Sequence, residues 1–126
     1  CHSQIKTDSE LLEPIRESWD SGRPVEWVKV HNLPDHVNFN HSAHVNVGIG
    51  CESCHGRIDQ MEIVYQAEEL SMGWCLDCHR APENHIRPVE EVTTMGYSRD
   101  DQLEFGRRMV AQMNVHPPQY CNGCHY

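Results

Sequence analysis

The sequence has few of the side chains that normally build a hydrophobic core. Leu, Ile, Val and Phe together supply 25 of its 126 residues, and only two of these are Phe. Charged chains with less than about one-fifth of such residues tend to stay disordered, and this chain carries a formal net charge of −9. Its length suits one domain. We therefore expect a single domain over residues 1–126 whose core comes largely from something other than aliphatic side chains.

Basic residues and long apolar runs are also scarce. Lys and Arg total 10 against 19 Asp and Glu, and no basic stripe is present to meet phosphates, so nucleic-acid binding is excluded. An acidic surface suits a cationic or mixed-charge partner. No apolar run approaches the roughly 20 residues that a membrane-spanning helix needs. We expect any membrane anchor or export signal to lie upstream of residue 1.

The cysteines occur in a repeated motif, C-x-x-C-H. Its three complete copies are Cys51–Cys54–His55, Cys75–Cys78–His79 and Cys121–Cys124–His125, and Cys1–His2 matches the end of a fourth copy. The motif attaches c-type haem, in which the cysteines form thioether bonds with the porphyrin and the histidine binds the iron. All seven cysteines are thereby assigned, and none is left for a disulfide.

The predicted haems also account for the shortage of core residues. Four haems on 126 residues are about one per 31 residues, which leaves no room for an ordinary hydrophobic interior. A porphyrin is a large apolar plate, and metal groups organise other small domains that lack a core. We expect the haems to form the core, with Trp27, Trp74 and Tyr65 against porphyrin faces.

Zinc is the alternative group that paired cysteines could bind. Cys54 and Cys75 are separated by 20 residues, at the edge of the C-x₂-C-x₁₅₋₂₀-C-x₂-C spacing of zinc sites. A zinc site, however, has no reason to place a histidine directly after the second cysteine of every pair. The motif therefore favours haem.

Histidines outside the motifs are candidates for the second axial position of each iron. His41 and His44 are three residues apart, and such residues are neighbours on a helix, with Cβ atoms about 5–6 Å apart. They can bind one metal together or reach two different irons. Because four irons need ligands, we favour the second use, which would hold two haems close enough for electron transfer. His31 is the third candidate, and Met95 and His116 are further ones.

The local sequence predicts a mainly α fold with much irregular structure and little or no sheet. Helices are predicted over 7–19, 39–47, 68–80 and 99–113, with a helical turn at each C-x-x-C-H motif. Thr7 and Glu10 form a candidate capping box, and Pro14 is a candidate position for a kink or a restart of the helix. Residues 25–30 are predicted to be extended, and residues 57–66 are the best candidate strand. Arg57, Arg80 and Arg107 are candidate partners for haem propionates.

These motifs resemble a known family. F-N-H-x-x-H before C-x-x-C-H is similar to the class III multihaem cytochromes, where the first histidine ligates the following haem and the second serves another. The longer segments "WVKVHNLPDHVNFNHSAHV" and "GCESCHGRIDQMEIVYQAEELSMGWCLDCHR" resemble the pentahaem cytochrome subunit of bacterial alternative complex III. The resemblance implies a fragment that lacks its N-terminal part, with four of five haems touched by this chain. It implies proximal ligands His2, His55, His79 and His125, and distal ligands His31, His41 and His44.

The resemblance also implies a function without bond chemistry. Electrons from quinol, oxidised in a membrane subunit and passed through an iron–sulfur partner, would cross the haems to a downstream cytochrome or oxidase. The expected location is the periplasmic side of the inner membrane. Two alternatives stay open: a multihaem reductase with one open coordination position, and a soluble periplasmic electron shuttle or a subunit of a related quinone-reducing complex. The roles of His36, His85 and His116 are not assigned by the resemblance.

Overall fold

A computed structural model describes residues 4–125 as a set of short helices joined by irregular segments. The α-helices are α1 Glu13–Ser21, α2 His41–Asn46, α3 Glu52–His55, α4 Met72–Arg80 and α5 Gln102–Gln112. The 3₁₀ helices are Glu10–Leu12, Ile58–Gln60, Pro82–Asn84, Val89–Glu91 and Cys121–Gly123. Within this range the β structure consists of isolated bridges, Val37 with His125 and Ile49 with Ile86. The predicted mainly α fold with much irregular structure is confirmed.

One small apolar cluster forms where α5 packs on the 3₁₀ turn Pro82–Asn84. Ile49, Ile86 and Phe105 are its buried members, and Ile86 has no exposed surface. Gln102 ties the two elements together, because its amide donates to the carbonyl oxygens of Glu83 and Ile86 at 3.0 and 2.8 Å. The cluster fixes the backbone immediately before the first complete motif.

The N-terminal helix begins later than predicted. A 3₁₀ turn at Glu10–Leu12 leads into α1, and Pro14 lies in the first turn of α1. A proline there removes no helical hydrogen bond, so of the two predicted alternatives the restart is confirmed and the kink is wrong. The candidate capping box is wrong, since the N-cap of the first turn is Ser9 and it makes no side-chain capping bond.

Residues 57–66 do not form the predicted strand. After the 3₁₀ turn Ile58–Gln60 the chain is irregular, and Ile63, Val64 and Tyr65 are exposed. The segment has β-branched and aromatic side chains, but a strand needs a hydrogen-bonding neighbour. None of the described residues pairs with it.

The remaining helices are present where they were predicted, although α4 begins at Met72 and not at residue 68. α2 is capped by the Asn40 side chain, whose Oδ1 accepts the Ser42 backbone N–H at 2.9 Å. α4 begins after Ser71, whose hydroxyl accepts the Trp74 N–H at 3.3 Å, and ends before Pro82. The first two complete motifs are α-helical as predicted, and the last is a 3₁₀ turn. Across residues 4–125, every helix is too short or too polar to cross a bilayer.

Candidate functional site

The three complete C-x-x-C-H motifs lie next to one another. Burial raises the pKa of the Cys54 thiol to about 11, and the neighbouring Cys78 and Cys75 thiols add to the shift. Burial also raises the pKa of the Cys75 thiol, and the neighbouring Cys124 thiol raises it further. The motif on α4 is therefore close to both of the other complete motifs.

The chemistry of these thiols fits covalent porphyrin attachment. The six described cysteines are free, and burial raises the pKa of Cys54, Cys75 and Cys78, which keeps these three thiols neutral. Zinc binds the thiolate, whereas a thioether bond to a porphyrin carries no charge and tolerates burial. Among residues 4–125, no group of three or more His, Cys, Asp or Glu side chains is gathered to hold a metal ion. The donor set suits thioether bonds better than a thiolate metal centre.

The two histidines of α2 face two different motifs. The ring centres of His41 and His55 are 6.3 Å apart, and those of His44 and His79 are 6.2 Å apart. An imidazole nitrogen lies about 2.0 Å from a first-row metal, with the ring centre about 1 Å further out, so two imidazoles that bind one iron from opposite sides have centres roughly 6 Å apart. Both pairs match this separation.

Backbone carbonyls orient the second of these pairs. His44 Nδ1 lies 2.9 Å from the carbonyl oxygen of Asn40, and His79 Nδ1 lies 2.7 Å from that of Pro118. A carbonyl oxygen only accepts, so each Nδ1 carries the proton and donates. Each Nε2 is then left with its lone pair, which is the tautomer that a metal-binding histidine needs.

His31 lies at the edge of His55. Its Nε2 is 3.3 Å from His55 Nδ1, and the two rings meet edge to face with centres 4.3 Å apart. Burial lowers the pKa of His55, and His31 and His41 lower it further, which favours the neutral imidazole that binds a metal. The contact is that of a hydrogen-bond partner of His55, and the distal role of His31 stays a prediction.

The last motif lies against a segment just before α2. The Asn38 N–H donates to the Cys124 carbonyl oxygen at 2.7 Å, and the rings of His36 and His125 have centres 5.3 Å apart. Sequence reasoning left His36 unassigned. Its spacing of five residues from both His31 and His41 matches no helical face, and only the folded chain brings it to the last motif.

Phe39 begins the F-N-H-x-x-H motif, but sequence reasoning gave it no role of its own. Its ring centre lies 4.8 Å from that of His41 and 4.7 Å from that of His44, so it restricts the positions of both imidazoles. Trp27 and Tyr65 are 80% and 60% exposed, and Trp74 is half-buried. Exposed aromatic surface on a chain with so small a core is what a porphyrin would cover.

The other predicted ligands are not brought to a motif by any of these contacts. His116 is exposed, and its Nε2 lies 2.9 Å from the Asn114 side-chain oxygen. Met95 is half-buried. Both stay predictions. Cys1 and His2 lie outside the described residues.

Comparison with known proteins points to the same chemistry. A family model described as cytochrome c7 and related cytochrome c matches residues 37–126. This range contains all three complete motifs together with Phe39, His41 and His44, and it covers most of the chain. The search of curated proteins gives no match.

Proposed function

Because the chain belongs to the family of cytochrome c7 and related cytochromes c, and is therefore a multihaem c-type cytochrome, we propose that it transfers electrons between mostly bis-histidine haems. Three haems are attached at the complete motifs and a fourth at Cys1 and His2. Haem supplies reversible one-electron oxidation and reduction of its iron.

The observation that carries this proposal is the arrangement of α2. His41 pairs with His55 and His44 with His79 at the separation expected across an iron. Because the two histidines share one helical turn, two irons that they ligate would be held close together. This supports electron transfer in preference to catalysis, which needs an iron with an open coordination position.

The chain's own residues set the electronic properties of the site. The Asn40 and Pro118 carbonyls hold His44 and His79 in one tautomer and make them stronger donors. Paired neutral imidazoles favour a lower iron potential than a His–Met pair. Phe39 packs on both distal rings and limits their rotation.

The setting we propose is a quinol-oxidising respiratory complex like alternative complex III, on the periplasmic side of the inner membrane. Iron–sulfur and membrane subunits would deliver electrons, and a downstream cytochrome or oxidase would accept them. The sequence resemblance supports this setting, and the net charge of −9 suits a cationic partner. Purification of the native protein tests it: co-purifying subunits support the complex, and a lone protein supports a soluble shuttle.

The axial ligands are tested with His41→Ala, His44→Ala and the double variant of the haem-loaded chain. We expect each single variant to convert one haem to high spin, at a different haem in each case, because the two histidines serve separate irons. Low-temperature EPR of the double variant should show two high-spin centres.

Asn46→Ala is the matched control, since Asn46 is an exposed residue of α2. It should leave all haems low-spin. One high-spin haem in the double variant would mean that both histidines serve a single iron, and none in either single variant would show that they are not ligands.

A further inference from the structure

Arg87 is a buried cation without an acidic partner. Its residue is 7% exposed, its Nη1 donates to the Thr94 carbonyl oxygen at 2.9 Å, and its buried Nε has no partner. Burying a charge is costly unless it is paired. The ion pairs formed within residues 4–125 use other arginines: Arg16, Arg23, Arg57, Arg80 and Arg99. Arg57 and Arg80, two of the predicted propionate partners, are thus already paired with aspartates.

A cavity of about 250 Å³ opens beside Arg87. Ser53, Tyr97, Arg99 and Gln102 line it together with Arg87. Hydrogen-bond donors therefore surround it, and no Asp or Glu is among the lining residues, although the chain has 19 acidic residues to 10 basic ones. Arg99 is held by Asp101 through bonds of 2.7 and 2.9 Å. Arg87 is consequently the cation of the cavity that no carboxylate neutralises, although its guanidinium lies over the Tyr97 ring, 4.9 Å from the ring centre.

The cavity lies directly behind the first complete motif. The Arg87 guanidinium packs against Gly50 so closely that a Cβ there would collide with it. The Arg87 N–H donates to the Gly48 carbonyl oxygen at 2.8 Å, and the Cys51 N–H donates to that of Val92 at 2.8 Å. Ser53, inside the motif, lines the cavity. An anion in this cavity is therefore next to a haem-attachment helix.

We propose that this cavity binds an oxyanion, a carboxylate or a phosphate, through Arg87. The planar fork of a guanidinium matches both groups, and the Tyr97 and Ser53 hydroxyls supply further donors. The oxyanion is either the propionate of a haem of this protein or a free anion from solution. This site goes beyond the proposed electron transfer, since it uses neither the thiols nor the axial histidines.

Inorganic phosphate is the probe for the free-anion source, titrated by calorimetry into the haem-loaded chain. We expect saturable binding that Arg87→Gln weakens by roughly 10–100-fold, the loss typical of a hydrogen bond to a charged group. Arg107→Gln is the matched control. Arg107 lines a different cavity with Asp100, Asp101 and Glu104, and its substitution should leave phosphate binding unchanged.

A haem propionate that fills the cavity gives a different result. The wild-type chain then binds no phosphate, and Arg87→Gln shifts the propionate carboxylate band in the infrared difference spectrum between oxidised and reduced protein. Equal phosphate affinity of the wild type and Arg87→Gln would overturn the proposal. It would also be overturned if the wild type binds no phosphate and Arg87→Gln leaves the propionate band unshifted.

Two milder variants keep the test decisive if Arg87→Gln fails to accumulate with haem. Arg87→Lys retains the charge without the fork, and Tyr97→Phe removes one donor and leaves Arg87 in place. Both should weaken phosphate binding or shift the propionate band by less than Arg87→Gln does. If both variants behave as the wild type does, the proposal is wrong.

Discussion

Two regions of the molecule are stabilised in different ways. Around Ile86, α5 and the turn Pro82–Asn84 bury apolar side chains against one another. Residues 61–70, which join the first two complete motifs, form no helix or strand and leave Ile63 82% and Tyr65 60% exposed. The first region is fixed by its own side chains. In the second, the side chains of Ile63 and Tyr65 remain largely exposed among the described residues, and we expect attached haems to cover this apolar surface and order the segment.

We expect the largest effect on stability from the removal of all haem. A chain produced without haem attachment should lose cooperative thermal unfolding altogether, because the cluster around Ile86 is too small to organise 126 residues. Hydrogen exchange should show residual protection only in α5 and the turn that it contacts. The haem-loaded chain under the same conditions is the control. A cooperative transition in the haem-free chain would contradict the idea that porphyrins form the core.

A smaller effect is expected from filling the contact between α5 and its turn. A Cβ at Gly106 would collide with the carbonyl group of Glu83, which is backbone and cannot rotate away. Gly106→Ala should therefore lower the free energy of unfolding of the haem-loaded chain by about 3 kcal/mol, the upper part of the range for overpacking.

Gly73→Ala on α4 is the matched control. The nearest atom to its new Cβ is Ser71 Oγ at 4.0 Å, so it should be neutral or stabilise by up to about 1 kcal/mol through helix propensity. Denaturant titration followed by far-ultraviolet circular dichroism measures both. Equal effects of the two substitutions would show that α5 does not pack as described.

The smallest effect concerns the start of α4, which carries the middle motif. Ser71→Ala removes the side chain that accepts the Trp74 N–H and should cost about 1 kcal/mol. Ser71→Thr keeps the acceptor oxygen, so it should retain most of the free energy of unfolding that Ser71→Ala loses, as measured by the same titration. If Ser71→Ala and Ser71→Thr are equally stable, the hydroxyl does not cap the helix.

Local spacing was enough to predict most of the helices, but it did not predict which histidine pairs with which motif. The i, i+3 spacing of His41 and His44 placed them on one helical turn and left open whether they serve one metal or two, and the periodicity of 99–113 predicted α5, the longest α-helix of the described residues. These features depend on neighbours in the sequence. For the same reason, 57–66 was wrongly predicted as a strand, since a strand depends on a partner elsewhere in the chain.

Contacts between distant residues could not be predicted in this way. The rings of His36 and His125 lie close together although most of the chain separates the two residues. Arg87 likewise packs on Gly50, which is distant in the sequence. No spacing rule connects either pair. The arginines chosen from sequence position, Arg57 and Arg80, turned out to bond to nearby aspartates, whereas the buried arginine without such a neighbour was recognisable only from its burial.

The bond between His79 and Pro118 has a consequence for when this fold can be completed. It joins residues 39 positions apart in the chain, so the ribosome adds His79 well before it adds Pro118, whose carbonyl oxygen is the acceptor. At a synthesis rate of about 5–20 residues per second, that interval is roughly 2–8 s. For those seconds the middle motif has its two thiols and its histidine but not the group that fixes the orientation of the ring.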